Sequence, residues 1–176
     1  MGFSPMEGLI MGTRCGDIDA GISAYIAAQD KLNSVQINQQ LNSHSGLFAI
    51  AGTEDMRVIQ QLIAQGNKEA VLALEMFCYR IKKYIGAYYA ALGNIDALVF
   101  TGGIGEHDAP CRALCVSNLE ALGLVIDTVK NQQVQSPAAF IHRAAQKIAI
   151  LVIKTDEELE IANQVYLFTK QLNDSR

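Results

Sequence analysis

Ala97-Leu98-Val99-Phe100-Thr101-Gly102-Gly103-Ile104-Gly105-Glu106-His107 decides how this chain of 176 residues is read. Four consecutive apolar residues, bounded by a run of glycines, predict a short buried strand that stops at Thr101. A glycine-rich turn behind a buried strand lets backbone N–H groups approach a phosphate or a ribose with no Cβ in the way. A helix N-terminus after the turn adds partial positive charge. The stretch has no P-loop lysine and does not meet the G-x-G-x-x-G template. On spacing alone, a nucleotide loop and a plain strand-to-helix turn are equally good readings.

Outward from it, a helix should begin near Ala109-Pro110, with proline in its first turn, and close at Gly123. A weak hairpin region from Leu124 through Ile141 and a strong strand from Ile148 to Ile153 follow. Thr155-Asp156-Glu157-Glu158 then reads as a capping box, Thr155 at the N-cap and Glu158 at N3, before a helix carrying Leu159, Ala162, Val165, Tyr166 and Phe168. Upstream lies the longest helix, from Asn67 or Lys68 to Leu92, stopped by Gly93-Asn94. Val71, Leu74, Cys78, Ile81, Ile85 and Tyr88 mark one apolar face; Ala70, Ala73, Phe77 and Tyr84 mark a second. A helix apolar on two faces is either central in the domain or shared with another subunit, so a homodimer is expected. Before it, helices are predicted from Asp19 to Lys31 (Ile22, Tyr25 and Ile26 on one stripe), after Ser34 as the cap of a short helix carrying Val35, Ile37 and Leu41, and from Glu54 to Gln65 with Thr53 as N-cap. Leu47 to Gly52 reads as a strand or buried turn. Helices with a few buried strands between them indicate a layered α/β domain.

Half the residues are apolar and 18% are charged, a composition that buries a core. A net charge of -4 gives no basic footprint, so nucleic acid is not an expected partner. No run reaches the roughly 18 apolar residues of a membrane span, and MGFSPMEG has no basic n-region of a secretory signal. The expected compartment is cytoplasmic. Cys15, Cys78, Cys111 and Cys115 show no zinc spacing and read as small buried hydrophobes, although Cys111 and Cys115, four apart, can share a helix face. His44, His107 and His142 form no metal or triad pattern.

Three further clusters can carry chemistry. Arg14, flanked by Gly12 and Gly16, is sterically open, and its guanidinium could reach a transferring phosphoryl group; composition alone favours a solvated turn in which Asp17 or Asp19 caps the next helix. Glu157 is not needed for the capping box and could serve Mg²⁺ beside a phosphate site, although capping explains the acidic cluster. Glu54-Asp55-Met56-Arg57 could be an ordinary first helical turn.

Four blocks occur in order: MGFSPMEGLIMGTRCGDID, SGLFAIAGTEDMR, ALVFTGGIGEH and VIKTDEELEIA. Together they closely resemble the acetate/propionate kinase family. The resemblance implies an actin/hexokinase/Hsp70-type (ribonuclease H-like) ATPase fold and Mg²⁺-dependent phosphoryl transfer between ATP and acetate, giving acetyl phosphate and ADP. By that resemblance Arg14 stabilises the phosphoryl group in transit. Asp55, Met56 and Arg57 touch nucleotide; Gly103, Ile104, Gly105, Glu106 and His107 surround the adenosine and its phosphates; Glu157 serves magnesium. The chain differs from the family pattern at His107 (usually Asn), Asp108 (commonly Ser), Asp156 (usually Asn) and near Thr53-Glu54, where it is one residue short.

The resemblance begins past the family's midpoint. It implies that residues 1–176 form an incomplete C-terminal nucleotide-binding lobe lacking the opening strands, with 155–173 a terminal helix that in the family returns to the N-terminal lobe. The acetate-side Arg and Asp, the HLGNG hairpin and the family His would lie upstream. Weak turnover in isolation is expected, with a homodimer or a separate N-terminal lobe chain as possible partners.

Overall fold

A computed structural model describes residues 2–135 and 137–174. The helices are α1 (Ile22–Asp30), α2 (Ser34–Ser43), α3 (Gly46–Ala51), α4 (Met56–Ala64), α5 (Lys68–Leu92), α6 (Gly102–His107), α7 (Ala109–Val116), α8 (Thr128–Gln132) and α9 (Glu157–Asp174). Three strands, β1 (Ala97–Phe100), β2 (Ala138–Phe140) and β3 (Ala149–Ile153), form one mixed sheet in the order β1-β3-β2. β1 runs parallel to β3, with Leu98 opposite Ile150 and Phe100 opposite Val152; β2 is antiparallel to β3. A helix-rich α/β architecture is what the element pattern predicted.

The core has two halves. Leu47, Met56, Ile59, Ala70, Ala73, Leu74, Phe77 and Cys78 bury the inner faces of α3, α4 and α5, and Cys111 and Cys115 of α7 join them. Leu124, Ile141, Ile148, Ile150 and Val152 fill the sheet side, against Ile85 and Tyr89 of α5. Phe100 packs against both halves, so the last residue of β1, two before the first glycine, is fixed from two directions.

α5 forms over the expected range, capped by Asn67, whose side chain accepts from Ala70 N–H, and ended by Gly93. Its buried stripe draws on both predicted faces, while Val71 and Tyr88 are exposed. β1 is not the fully buried strand its apolar run suggested. It lies at the sheet edge, and Val99 is 46% exposed on the bare face beside Phe140 and Ile153.

Other expectations are corrected by contacts distant in sequence. Leu47 to Ala51 is helical, because Leu47 and Phe48 donate their amides to the Met11 and Gly12 carbonyls of the opening loop. Gly46 makes this approach possible: at φ 63° an added Cβ would lie 2.2 Å from the Met11 oxygen. α4 is capped by Asp55, which accepts from Arg57 N–H, and not by Thr53. α7 stops at Val116, before Asn118 at φ 61°; a 3₁₀ turn, Glu120–Leu122, carries the chain to Gly123. The weak hairpin region contains helix α8, capped by Asp127, and strand β2, which pairs with β3; among the described residues its own two arms form one bridge, Ile126 to His142. α1 begins three residues late, because Asp19 folds into a turn on Gly21 N–H, and its apolar stripe is not buried. Asp17 instead ties the opening loop to α5: its carboxylate accepts from Gly8 N–H and the Tyr84 hydroxyl, and its carbonyl accepts from Arg80. Finally, Asp156 takes the capping role assigned to Thr155, accepting from Leu159 N–H at 3.0 Å.

Candidate functional site

Two of the four sequence blocks meet in one cleft. It has a volume of about 670 Å³ and is lined by Glu54, Asp55, Met56, Arg57 and Gln60 on one side and Gly103, Ile104, His107, Asp108 and Pro110 on the other. That is the size of a small-molecule site, and its mixture of apolar surface and a few polar groups is also typical. α4 brings the first wall, because its N-cap Asp55 starts the helix at the cleft edge. The second wall is α6 and the start of α7, set by the end of β1.

Asp55 and Arg57 face the cleft but also hold each other. The Arg57 guanidinium donates to both carboxylate oxygens, at 3.0 and 2.6 Å, and this pairing lowers Asp55 to about 2. Arg57 remains 88% exposed along its side chain, so it is free to exchange this partner for a ligand. Gln60 reaches across the cleft floor and donates to Asp108 at 3.0 and 3.1 Å.

The glycine run is a short helix and not an open loop. Gly102 takes φ 71°, which favours glycine, and a Cβ on Gly102 or Gly103 would meet nothing within 4 Å. Gly105 is the close-packed member: an added Cβ would lie 3.3 Å from the Phe100 carbonyl carbon. The helix-terminus charge expected for phosphate is already engaged. Gly102 N–H donates to the Glu106 carboxylate, and Cys111 N–H at the start of α7 donates to Asp108.

Glu106 therefore acts as a brace. The same oxygen that accepts from Gly102 also accepts from the Thr155 amide and hydroxyl, at 2.8 and 2.9 Å. These Thr155 bonds hold the Glu106 carboxyl below its ordinary range. The brace links α6 to the segment that leads into Glu157. His107 is 79% exposed along its side chain, 3.9 Å from the second Glu106 oxygen.

Arg14 and Glu157 lie outside the cleft lining. Arg14 sits in the loop pinned on α3, where its carbonyl accepts from Met11 N–H. Neighbouring Gly12 is packed against Glu54, at the cleft edge. Glu157 is exposed in the first turn of α9. Among the described residues, neither side chain has a hydrogen-bond or ion-pair partner.

Sequence reading missed Arg112. At 2% exposure, it donates from Nε to Asn131 Oδ1 and from Nη2 to the Asn131 carbonyl, while Nη1 serves the Gly105 and Glu106 carbonyls. These last two are C-terminal carbonyls of α6 that the short helix cannot satisfy itself. Burial pushes the Arg112 guanidinium down from its ordinary value, and among the described residues no carboxylate hydrogen-bonds to it. Its only sequence signal is a charge inside an otherwise apolar helix. Gln60 and Pro110 were likewise not assigned to a site. The Asp108-Ala-Pro start of α7 does carry a cap signal.

Comparisons with known proteins bear on the family and the fold. A model of the Acetokinase family matches residues 1–163. The acetate kinase of Syntrophobacter fumaroxidans is 52% identical over 164 residues, which cover 93% of this chain and 40% of that protein. For the acetate kinase of Campylobacter jejuni subsp. doylei the identity is 50%, with coverage of 92% and 41%. The crystal structure of Porphyromonas gingivalis acetate kinase superposes with a TM-score of 0.89 at 39% identity, covering 93% of this chain and 41% of that one. A propionate kinase from Francisella tularensis subsp. tularensis gives 0.86 at 44% identity, covering 92% and 41%. The chain thus spans about 40% of the length of the curated relatives it matches. With sequence and fold matched over nine-tenths of its residues, the chain belongs to the acetokinase family.

Proposed function

We propose that the cleft between α4 and α6 holds the nucleoside end of ATP or ADP. In this reading the chain supplies the nucleotide and magnesium side of phosphoryl transfer between ATP and acetate, giving acetyl phosphate and ADP. The observation that carries it is the meeting of Asp55, Met56 and Arg57 with Gly103, Ile104 and His107 around one cleft large enough for a nucleoside, while Gly105 and Glu106 stand outside its lining. Met56, Ile104 and Pro110 offer apolar surface for a base, and Gly103 leaves room for close approach. Gln60 and Asp108 offer polar groups that can fix its orientation.

Phosphoryl transfer needs positioning and charge neutralisation more than a strong base. Arg14 has an unengaged guanidinium, suited to the charge that develops on the moving phosphoryl group. Glu157 offers an unpaired hard carboxylate, a fitting donor for Mg²⁺ alongside phosphate oxygens and water. Bound Mg²⁺ would neutralise phosphate charge. The Glu106 brace to Thr155 holds the Glu157 segment against the nucleotide helix. Acetate is the proposed acid; the similarity to a propionate kinase supports propionate as the second reading.

In isolation the 176-residue polypeptide should bind nucleotide and turn over weakly, with a second copy or a separate lobe chain as partner. A coupled assay with acetate and propionate tests this. Turnover at ordinary kinase rates would refute the incompleteness. Absence of nucleotide binding, together with a stable dimer in light scattering, would favour a non-catalytic interaction module.

A further inference from the structure

Three of the four cysteines converge far from one another in sequence. Cys78 projects from α5, and Cys111 and Cys115 occupy successive turns of α7. Their sulfurs all lie within 4.8 Å of one another, and Cys78 Sγ is 3.5 Å from Cys111 Sγ. They are 0, 3 and 0% exposed, in the same apolar cluster as Ile59, Leu74 and Phe77. Hydrophobic packing needs no such convergence of sulfur on sulfur, and the helical spacing of four aims two thiols at the third.

We infer that Cys78, Cys111 and Cys115 form a three-sulfur site for a trivalent thiophilic species of the arsenite class. A planar three-coordinate centre with bonds to sulfur of about 2.3 Å separates its sulfurs by about 4.0 Å, and a pyramidal one by less. Cys78 Sγ and Cys111 Sγ, 3.5 Å apart, already stand near the shorter, pyramidal separation, and the third sulfur, within 4.8 Å of both, needs only a small shift to complete the triangle. Charge selects the trivalent species. Three thiolates carry three negative charges, so a monovalent or divalent soft cation leaves a net anion in an apolar core, which is costly without a partner. A trivalent centre leaves none. The exchange balances: three S–H and three As–O bonds break, three As–S and three O–H bonds form, each thiol proton passes to a departing hydroxide, and three waters leave. No electron is transferred. Because the thiols are buried, entry requires α7 to open locally from α5, and binding should be slow.

The test is native mass spectrometry of the reduced, folded full chain after long incubation with sodium arsenite, without nucleotide. The expected product carries one arsenic and has lost three hydrogens, in the wild type and in Cys15→Ser alike. Cys111→Ala and Cys115→Ala, each checked for folding by circular dichroism, should lose that product. The inference is overturned if the folded chain gives no such product while the urea-unfolded chain does. It is also overturned if Cys15→Ser abolishes the product, if a folded Cys111→Ala retains it, or if equimolar cadmium displaces the arsenic. Should the alanine variants fail to fold, the wild type and Cys15→Ser still decide. Because nucleotide takes no part, failure here would leave the proposed cleft untouched.

Discussion

Arg112 is a cation held almost wholly inside the molecule by oxygen acceptors that carry no formal charge. Its planar fork serves Asn131 on one side and the end of α6 on the other, a task that the single ammonium of lysine cannot repeat. Arg112→Lys should therefore lower stability by about 2 kcal/mol, since several buried acceptors lose a donor. A shift of the urea midpoint at unchanged slope would measure it. Glu106 contributes to the acid limb together with Asp17 and Asp55, which are also held low. The Glu106 carboxyl is held below the ordinary range by Thr155, as Asp55 is by Arg57. A depressed group stabilises the fold above its unfolded pKa, and that contribution disappears as pH falls through the folded pKa. Stability should thus decline from about pH 4 downward. Glu106→Gln should flatten the decline, as urea titrations at pH 6 and pH 3 would reveal. The family resemblance implied Gly103, Gly105 and Glu106 as site residues. It could not tell that the Glu106 carboxylate would turn inward, because Thr155 lies 49 residues away.

Elements whose signals are local were legible, and elements set by distant partners were not. α5 followed from its apolar period, its Asn67 cap and Gly93, and β1 from four apolar residues before a glycine run. α3 could not be read, because its first amides are satisfied by carbonyls more than thirty residues earlier. α8 was missed for a related reason: it presents Asn131 to Arg112, and neither residue advertises the other. At the start of α9, both Thr155 and Asp156 are plausible caps, and tertiary contact chose between them. Glu106 draws Thr155 away, leaving the N3 amide to Asp156. Asp156→Ala should cost the helix about 1 kcal/mol, with reduced ellipticity at 222 nm. Thr155→Ala should spare that cap and weaken the link to α6 instead.

For the molecule as a whole, the cleft was partly legible. Two of the four blocks meet around it, while Arg14 and Glu157 stand outside its lining, at positions that no sequence pattern could locate. Much apolar surface is left bare. α9 is exposed at every residue whose burial is described, including Leu159, Ile161, Val165, Tyr166 and Phe168, and the outer face of the sheet shows Val99 and Phe140. Such patches mark interaction surfaces or association hazards. The chain should self-associate as concentration rises, and Val165→Lys with Phe168→Glu should shift light scattering toward monomer. No helix among the described residues is long and apolar enough to cross a membrane.

The central claim is that nucleotide enters between α4 and α6, and calorimetric titration with Mg·ADP tests it most directly. Gly103 borders the cleft and an added Cβ meets no protein atom, so Gly103→Phe should fill the space while the fold survives. Saturable one-site binding to the wild-type chain and at least a tenfold loss of affinity in folded Gly103→Phe are expected. Undiminished binding in that variant, or no binding by the folded wild type, would contradict it.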